Sequence, residues 1–138
     1  MKIIDVMTKH PAIINETAKI IDGIEKMQHS KCGILPIGEE NNIVGVVTDR
    51  DIVIRAVAKG KDVTTTPIKD IMTTDVIFCQ EDNTLEDAVA QMSQHNIRRV
   101  VVRNNEQQVT GILSLGDVIK RAHDKECLCC LFRNLHAA

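Results

Sequence analysis

Residues 45–53 read GVVTDRDIV, and residues 111–119 read GILSLGDVI. Each stretch consists of a glycine, two apolar residues, a hydroxyl residue, two variable residues, an aspartate and two further apolar residues. The apolar run before the hydroxyl residue is typical of a buried strand, and the residues after it are typical of a helix start. The repeated stretch therefore predicts two strand-to-helix junctions, each with an aspartate in the first turn of the helix.

The two stretches belong to an internal duplication of the chain. An offset of 65 residues aligns DVMT (residues 5–8) with DIMT (residues 70–73), and the offset becomes 66 near Gln108. The pairs that then match are Gly45/Gly111, Asp51/Asp117, Arg55/Arg121 and Ala56/Ala122. Two copies of this length suggest a pseudo-symmetric pair of repeats, because arrays of stacked repeats have shorter periods. The methionines of the two Met-Thr pairs, Met7 and Met72, are predicted to be packing residues.

Each copy shows the same order of periodicities. Apolar residues recur at helical spacing around residues 20–27 in the first copy and around residues 85–92 in the second. Two short apolar runs joined by a polar turn follow in each copy and predict a hairpin. A second helix begins at each aspartate motif, and Gly60 is expected to end the first of these. We therefore predict an α/β protein of the α+β type, built from two β-α-β-β-α repeats that pack through their sheets.

The predicted domain organisation follows from this alignment. Repeat 1 covers residues 1–60, a linker rich in β-branched residues covers 61–67, repeat 2 covers 68–123, and a cysteine-rich tail covers 124–138. Neither half alone is expected to bury enough apolar surface for a stable hydrophobic core, so the two repeats should share one core. A shared core leaves two related clefts between the repeats.

Composition excludes several classes of function. The chain has 138 residues, a formal net charge of −2, two phenylalanines and neither tryptophan nor tyrosine. It therefore lacks the basic charge and the stacking aromatics typical of nucleic-acid binding, and we expect neither a nucleic-acid nor a membrane partner. The first ten residues contain no apolar run long enough for a signal peptide, so we expect a cytoplasmic protein with reduced cysteines.

The hydroxyl-x-x-Asp spacing allows two interpretations. In the first, Thr48 and Ser114 only cap helices, with Asp51 and Asp117 near the positive end of the helix dipole. A reciprocal capping box favours the longer Glu or Gln at this position, which argues against capping as the only role. In the second, the helix start and the hydroxyl bind a phosphate while the carboxylate accepts hydrogen bonds from ribose hydroxyls. The duplication strengthens the second interpretation.

The combination DVMT…LPI…GVVTDRD and DIMT…RRVVV…GILSLGD resembles the tandem CBS domain pair, or Bateman module, over about residues 3–123. Small stand-alone bacterial CBS-pair proteins are most similar in length and organisation. The resemblance implies two pseudo-symmetric halves, a homodimer shaped as a flat disc, and a regulatory rather than catalytic role. It also implies an adenine nucleotide or related adenosyl compound as a regulatory ligand, with no required cofactor, and a downstream protein partner that the sequence does not identify.

The resemblance further implies which residues line the two clefts. The residues expected in cleft 1 are Thr8, Ile13, Cys32, Gly33, Arg98, Arg99, Ser114 and Asp117. Those expected in cleft 2 are Ile34, Thr48, Arg50, Asp51, Thr73, Phe78 and Ile97. Because the second copy has two arginines where the first has Gly33 and Ile34, we expect cleft 1 to be the better anion site.

The tail offers a different class of function. Cys127, Cys129 and Cys130 are weak candidates for zinc or copper ligands, because their spacing matches no standard zinc site. An alternative hypothesis is therefore a redox- or metal-responsive dimeric scaffold that binds no nucleotide. The favoured interpretation of the tail is an apolar helical stripe, in which the cysteines act as small hydrophobic residues. The sequence contains no enzyme signature, since its five histidines are scattered and no Gly-rich phosphate loop is present.

Overall fold

A computed structural model describes residues 1–121 of the chain. The strands are β1 (Thr8–Lys9), β2 (Ile34–Glu39), β3 (Asn42–Thr48), β4 (Phe78–Gln80), β5 (Arg99–Arg103) and β6 (Val109–Ser114). The helices are α1 (Ile20–Ser30), α2 (Asp49–Asp51), α3 (Leu85–Gln94) and α4 (Leu115–Arg121). Helix α2 continues directly into a π-helix at Ile52–Val57, and 3₁₀ turns lie at Ile3–Asp5 and Ile68–Asp70. Mixed helices and sheets confirm the predicted fold class.

The chain divides into two compact units whose boundaries differ from those of the sequence repeats. The contiguous unit consists of residues 11–76. The discontinuous unit consists, within the described residues, of residues 1–10 together with residues 77–121. The first residues of repeat 1 thus lie in the unit that contains most of repeat 2. The first residues of repeat 2 lie in the unit that contains most of repeat 1. Strand β1 shows this directly, because Thr8 pairs with Ile112 in β6.

The contiguous unit is built on the antiparallel hairpin of β2 and β3, in which Ile34 pairs with Thr48 and Leu35 with Val47. Residues from α1, the hairpin, the π-helix and the 3₁₀ turn at 68–70 form its core. The buried members are Ile14, Ile20, Leu35, Ile37, Val47, Ile52, Ala56, Ile68 and Ile71. The predicted hairpin and the predicted first helix are therefore both present. Gly60 has a positive φ of 69°, and its N–H donates to the Val57 carbonyl, which confirms the predicted helix end.

The discontinuous unit is built on a four-stranded sheet with the order β1-β6-β5-β4. Strands β4 and β5 are parallel, and the other neighbours are antiparallel. Alternate residues of these strands, including Val100, Val102 and Leu113, pack with the apolar side of α3. The α3 residues in this core are Leu85, Ala88, Val89 and Met92. These are the helical-spacing residues of the sequence pattern, and Met92 is confirmed as a core residue.

The helix after the first aspartate motif differs from its counterpart in the second repeat. Residues 52–57 are π-helical, and the Ala58 N–H donates to the Val53 carbonyl at 2.9 Å. The consecutive β-branched residues Ile52, Val53 and Ile54 restrict χ1 and weaken the preference for a regular α-helix. Short π-helical segments often lie at functional sites, which directs attention to the side chains that this one carries.

The repeated glycine of the aspartate motif has a packing role. A Cβ atom at Gly111 would overlap the sulfur of Met7, and one at Gly45 would overlap the sulfur of Met72. Each Met-Thr methionine thus packs on the motif glycine of the other sequence repeat. Met7 is 3% exposed and belongs to the core of the discontinuous unit, as predicted for a packing residue.

Replacing Gly111 with alanine is expected to lower the free energy of unfolding by about 1–3 kcal/mol, the usual cost of overpacking a core. The added methyl group would contact Met7 and also lie about 2.9 Å from the Thr8 carbonyl oxygen, which is backbone and cannot move aside easily. Urea denaturation measures the effect. Gly116→Ala is the matched control, because its Cβ would meet only the Ser114 hydroxyl at 3.6 Å. A Gly111→Ala protein as stable as wild type would contradict this packing, and a Met7→Ala background should reduce the cost.

Cys79 is buried in the core of the discontinuous unit, with 4% of its surface exposed. Burial, with a smaller contribution from the charge of Asp87, raises the pKa of its thiol from 9.0 to about 11. Between these values the unfolded chain has released the thiol proton while the folded chain retains it. The stabilisation is therefore complete below pH 9 and is lost as the pH rises towards 11.

We expect the free energy of unfolding to fall by about 1.4 kcal/mol per pH unit in this range through Cys79 alone. Urea denaturation at several pH values between 8.5 and 10.5 would measure the slope. The comparison is with Cys79→Ala, which retains every other titrating group and should show a correspondingly shallower slope. Identical slopes for the two proteins would show that the thiol ionises equally in both states.

Candidate functional site

The two strand-to-helix junctions have the same backbone frame. Helix α1 and helix α3 are each followed by a left-handed residue, Lys31 with a φ of 54° and Asn96 with a φ of 53°. Two residues later, the carbonyl of Gly33 accepts the N–H of Asp49 at 3.0 Å. The carbonyl of Arg98 accepts the N–H of Leu115 at 2.9 Å in the same way. The chain before each hairpin thus fixes the first residue of the helix after it.

Both junctions form reciprocal capping boxes. Asp51 Oδ2 accepts the Thr48 N–H at 3.0 Å, and the Asp51 N–H donates to the Thr48 hydroxyl at 3.1 Å. Asp117 and Ser114 make the same two hydrogen bonds, each at 3.0 Å. The preference of reciprocal boxes for Glu or Gln is therefore no argument against capping here, because the N–H of each cap residue lies within reach of the aspartate. Capping nevertheless uses only Oδ2 of each carboxylate.

The second oxygen of Asp117 faces the start of the chain. Thr8 Oγ1 lies 3.5 Å from Asp117 Oδ1, so pairing of β1 with β6 brings the Met-Thr hydroxyl next to the motif carboxylate. This distance is long for a hydrogen bond between oxygens. A surface depression of about 590 Å³ lies against Thr8 and is lined by Ile4, Asp5, Met7, Thr8 and Lys9. The depression is open to solvent, and of the predicted site residues only Thr8 lines it.

Arg99 is the predicted cation that the sheet brings to the Ser114–Asp117 turn. Arg99 pairs with Ser114 across β5 and β6, and residues paired in this way project from the same face of a sheet. Arg98 precedes the strand and is exposed, while its carbonyl is the one that anchors Leu115. In the contiguous unit the residue paired with Thr48 is the buried Ile34, so no strand cation occupies the corresponding position.

In the contiguous unit, a cation reaches the aspartate from the π-helix. Arg55 Nε lies 3.7 Å from Asp51 Oδ1. The same guanidinium donates to the Thr73 hydroxyl at 3.1 Å. Sequence reasoning did not select Arg55 as a site residue, although its match with Arg121 in the duplication was a signal that could have found it.

The remaining predicted residues belong to one unit or the other. In the contiguous unit, Ile13 and Gly33 are half-buried, as is Cys32, whose N–H donates to the Met27 carbonyl at 3.2 Å. Arg50 is exposed there. In the discontinuous unit, Ile97 packs against the core, and its N–H donates to the Met92 carbonyl at 2.9 Å. Phe78 carries the guanidinium of Arg103 over its ring at 4.0 Å, so one face of the ring is already covered by protein.

The metal hypothesis concerned Cys127, Cys129 and Cys130, which lie outside the described residues. Within residues 1–121, no group of three or more histidine, cysteine or acidic side chains could hold a metal ion. Over the same part of the chain, no helix is both long and apolar enough to span a bilayer.

The described residues thus contain a duplicated hairpin-and-helix unit with a carboxylate at each helix start. The CBS domain family model matches residues 3–57 and again residues 68–124. The chain therefore belongs to the CBS domain family, as a tandem pair.

Similar proteins agree with this assignment. The CBS domain-containing protein YhcV of Bacillus subtilis is 35% identical over 116 residues, which cover 83% of this chain and 80% of YhcV. The CBS domain pair of protein MJ0100, solved in complex with 5′-methylthioadenosine and S-adenosyl-L-methionine, is 28% identical with a TM-score of 0.78, covering 87% of this chain and 94% of that one. Hypoxic Response Protein I, solved with two coordinated zinc ions, is 25% identical with a TM-score of 0.76, covering 87% and 98% of the two chains.

Proposed function

We propose that this CBS pair is a ligand-sensing regulatory module, without catalytic activity of its own, that binds an adenine nucleotide or related adenosyl compound at the Ser114–Asp117 turn. The observation that carries the proposal is the use of only one Asp117 oxygen in the helix cap. The other oxygen faces the exposed Thr8, which lines a surface depression. A carboxylate oxygen in this position can accept a hydrogen bond from a ribose hydroxyl.

Two further features support an anionic ligand at this turn. Arg99 projects from the sheet beside Ser114 and supplies the positive charge that a phosphate or carboxylate group requires. The CBS pair of MJ0100 was solved with two adenosyl compounds, and both contain a ribose. Binding would bias the module between two arrangements that differ in ligand affinity, and an unidentified partner protein would respond to the favoured arrangement.

Isothermal titration calorimetry of the full chain with AMP, ADP, ATP and S-adenosyl-L-methionine tests the proposal. Saturable binding of at least one of these compounds is expected, accompanied by an increase in the melting temperature, since a ligand that binds only the folded state stabilises it. The absence of heat and of thermal shift with all four compounds would reject an adenosyl ligand.

We also propose that two copies of the chain associate as a homodimer through the π-helix. Val53, Ile54 and Val57, here called the apolar patch, are 55%, 51% and 62% exposed. Ile119, which corresponds to Val53 in the second repeat, is 44% exposed as well. Clustered exposed apolar side chains mark interaction surfaces.

A further inference from the structure

The start of the chain lies on strand β6 at a position where that strand carries no side chain. Lys9 pairs with Gly111, and Thr8 pairs with Ile112. A Cβ atom at Gly111 would overlap the Met7 sulfur and would lie 2.9 Å from the Thr8 carbonyl oxygen. A glycine within a strand often marks a place where another backbone approaches closely. Strand β1 can therefore lie this close to β6 only because residue 111 is a glycine.

This close approach decides where the Thr8 hydroxyl lies. Thr8 Oγ1 is 3.5 Å from Asp117 Oδ1, while the other carboxylate oxygen, Oδ2, accepts the Ser114 N–H. A ribose hydroxyl bound to Asp117 Oδ1 would therefore lie next to the Thr8 hydroxyl, which can both donate and accept a hydrogen bond. Because Thr8 makes the backbone contact with Gly111 and the side-chain contact with Asp117, a shift of the first contact changes the second.

The segment that carries Thr8 is held at both ends, so it cannot slide along the sheet to relieve a clash. Before Thr8, the Ile3 N–H donates to the Asn83 carbonyl at 2.8 Å. After it, the His10 N–H donates to the Thr110 carbonyl at 3.3 Å. A methyl group added at the motif glycine would therefore push the Met-Thr backbone away from β6.

The contiguous unit contains the same arrangement. A Cβ atom at Gly45 would lie 2.5 Å from the Met72 sulfur and 3.0 Å from the Thr73 carbonyl oxygen. Thr73 and Val46 exchange two backbone hydrogen bonds, at 2.8 and 2.9 Å. A Met-Thr pair thus packs on the motif glycine in both units, and Gly45 provides a matched control for Gly111.

We infer that Gly111 is a positioning residue of the ligand site, because its missing side chain lets β1 approach β6 and so places the Thr8 hydroxyl beside Asp117. This inference rests on the proposed function, and it adds that the start of the chain completes the site. The repeated glycine then serves binding as well as packing. It acts through Thr8 and not by contact with the ligand.

A double-mutant cycle in the full chain tests whether Gly111 acts through Thr8. Wild type, Thr8→Val, Gly111→Ala and the double variant are titrated calorimetrically with the tightest binder among AMP, ADP, ATP and S-adenosyl-L-methionine. Thr8→Val should weaken binding about threefold to tenfold, the scale of one neutral hydrogen bond. Gly111→Ala should weaken binding at least about twofold in wild type and leave it unchanged in the Thr8→Val protein, because the hydroxyl that it displaces is then absent.

Three further variants separate the position of Thr8 from the stability of the fold. Thr8→Ser carries a hydroxyl and should recover most of the affinity that Thr8→Val loses. Gly45→Ala adds the same methyl group against the equivalent Met-Thr pair, so it should lower stability as Gly111→Ala does and leave affinity unchanged. Should Gly111→Ala not fold, Met7→Leu is close in volume and places a branched carbon against the glycine. It should give a smaller loss of affinity that also disappears in the Thr8→Val protein.

The outcomes distinguish the inference from the proposed function. If Thr8→Val or Gly111→Ala binds as wild type does, or if Gly111→Ala weakens binding equally with and without the Thr8 hydroxyl, the inference is wrong and the proposed function stands. Equal losses of affinity in Gly111→Ala and Gly45→Ala would also reject the inference, since both would then act through stability. If the cycle shows coupling although Asp117→Ala binds normally, the coupling of Gly111 to Thr8 stands and the proposed ligand contact with Asp117 fails. A wild type that binds none of the four compounds overturns both.

Discussion

Replacing Asp117 with alanine should weaken nucleotide binding by about 10- to 100-fold. The substitution removes a charged acceptor, and a hydrogen bond to a charged group contributes roughly 1.5–3 kcal/mol. Calorimetric titration of wild type and variant with the best-binding adenosyl compound gives the ratio of dissociation constants. Asp117→Asn should retain part of the helix cap but lose most of the affinity, because it keeps an acceptor oxygen without the negative charge.

The control for Asp117→Ala must remove an equal helix cap outside the proposed site. Asp87 provides it, since its carboxylate accepts the Thr84 N–H at 3.1 Å and its own N–H donates to the Thr84 hydroxyl at 3.1 Å. Asp87→Ala should lower stability by about 1 kcal/mol, as cap removal does elsewhere, and leave affinity unchanged. Equal losses of affinity in both variants would mean that Asp117 acts only through folding. A loss in Asp51→Ala but not in Asp117→Ala would reverse the ranking of the two turns.

A charge in the apolar patch should convert a dimer into monomers. Val57 is the most exposed member, and Val57→Glu would place a carboxylate in the proposed interface without a partner. Burying an unpaired charge is costly enough to raise the dimer dissociation constant by at least about 100-fold. Sedimentation velocity over a range of protein concentrations measures this change directly.

Ala90→Glu is the control for this prediction, because it adds the same charge at an exposed position of α3 in the other unit. It should remain dimeric, and circular dichroism should show that both variants are folded. A wild type that sediments as a monomer would reject the homodimer. A Val57→Glu protein that stays dimeric would show that the interface lies on another surface. Removing residues 124–138 would then test whether the tail forms it.

Local sequence patterns predicted the elements well because each depends on neighbouring residues. The runs at 34–37 and 109–114 became strands, and the helical spacing of Leu85 to Met92 became one side of α3. The aspartate junctions were predicted for the same reason, since a capping box lies within four consecutive residues. The site residues that the family resemblance selected remain predictions, although Thr8 and Ser114 contact Asp117 and Arg99 pairs with Ser114.

What the sequence did not reveal depends on residues far apart in the chain. The contact of Arg55 with Thr73 requires residues 71–73 to return to the π-helix, and no local pattern encodes that return. The stacking of Arg103 on Phe78 depends on the register of β4 and β5. The division into units was hidden for the same reason, because pairing of β1 with β6 joins the two ends of the described chain.

This division has a consequence for synthesis on the ribosome. Residues 11–76 are continuous, so every contact within the contiguous unit can form once Val76 has emerged. The first ten residues leave the exit tunnel earlier, but their native partners follow later: Asn83 accepts the Ile3 N–H, and Thr8 pairs with Ile112. Closing that long loop is slow compared with local contacts. The apolar segment around Ile3, Val6 and Met7 therefore lacks its complete core until β6 has been synthesised.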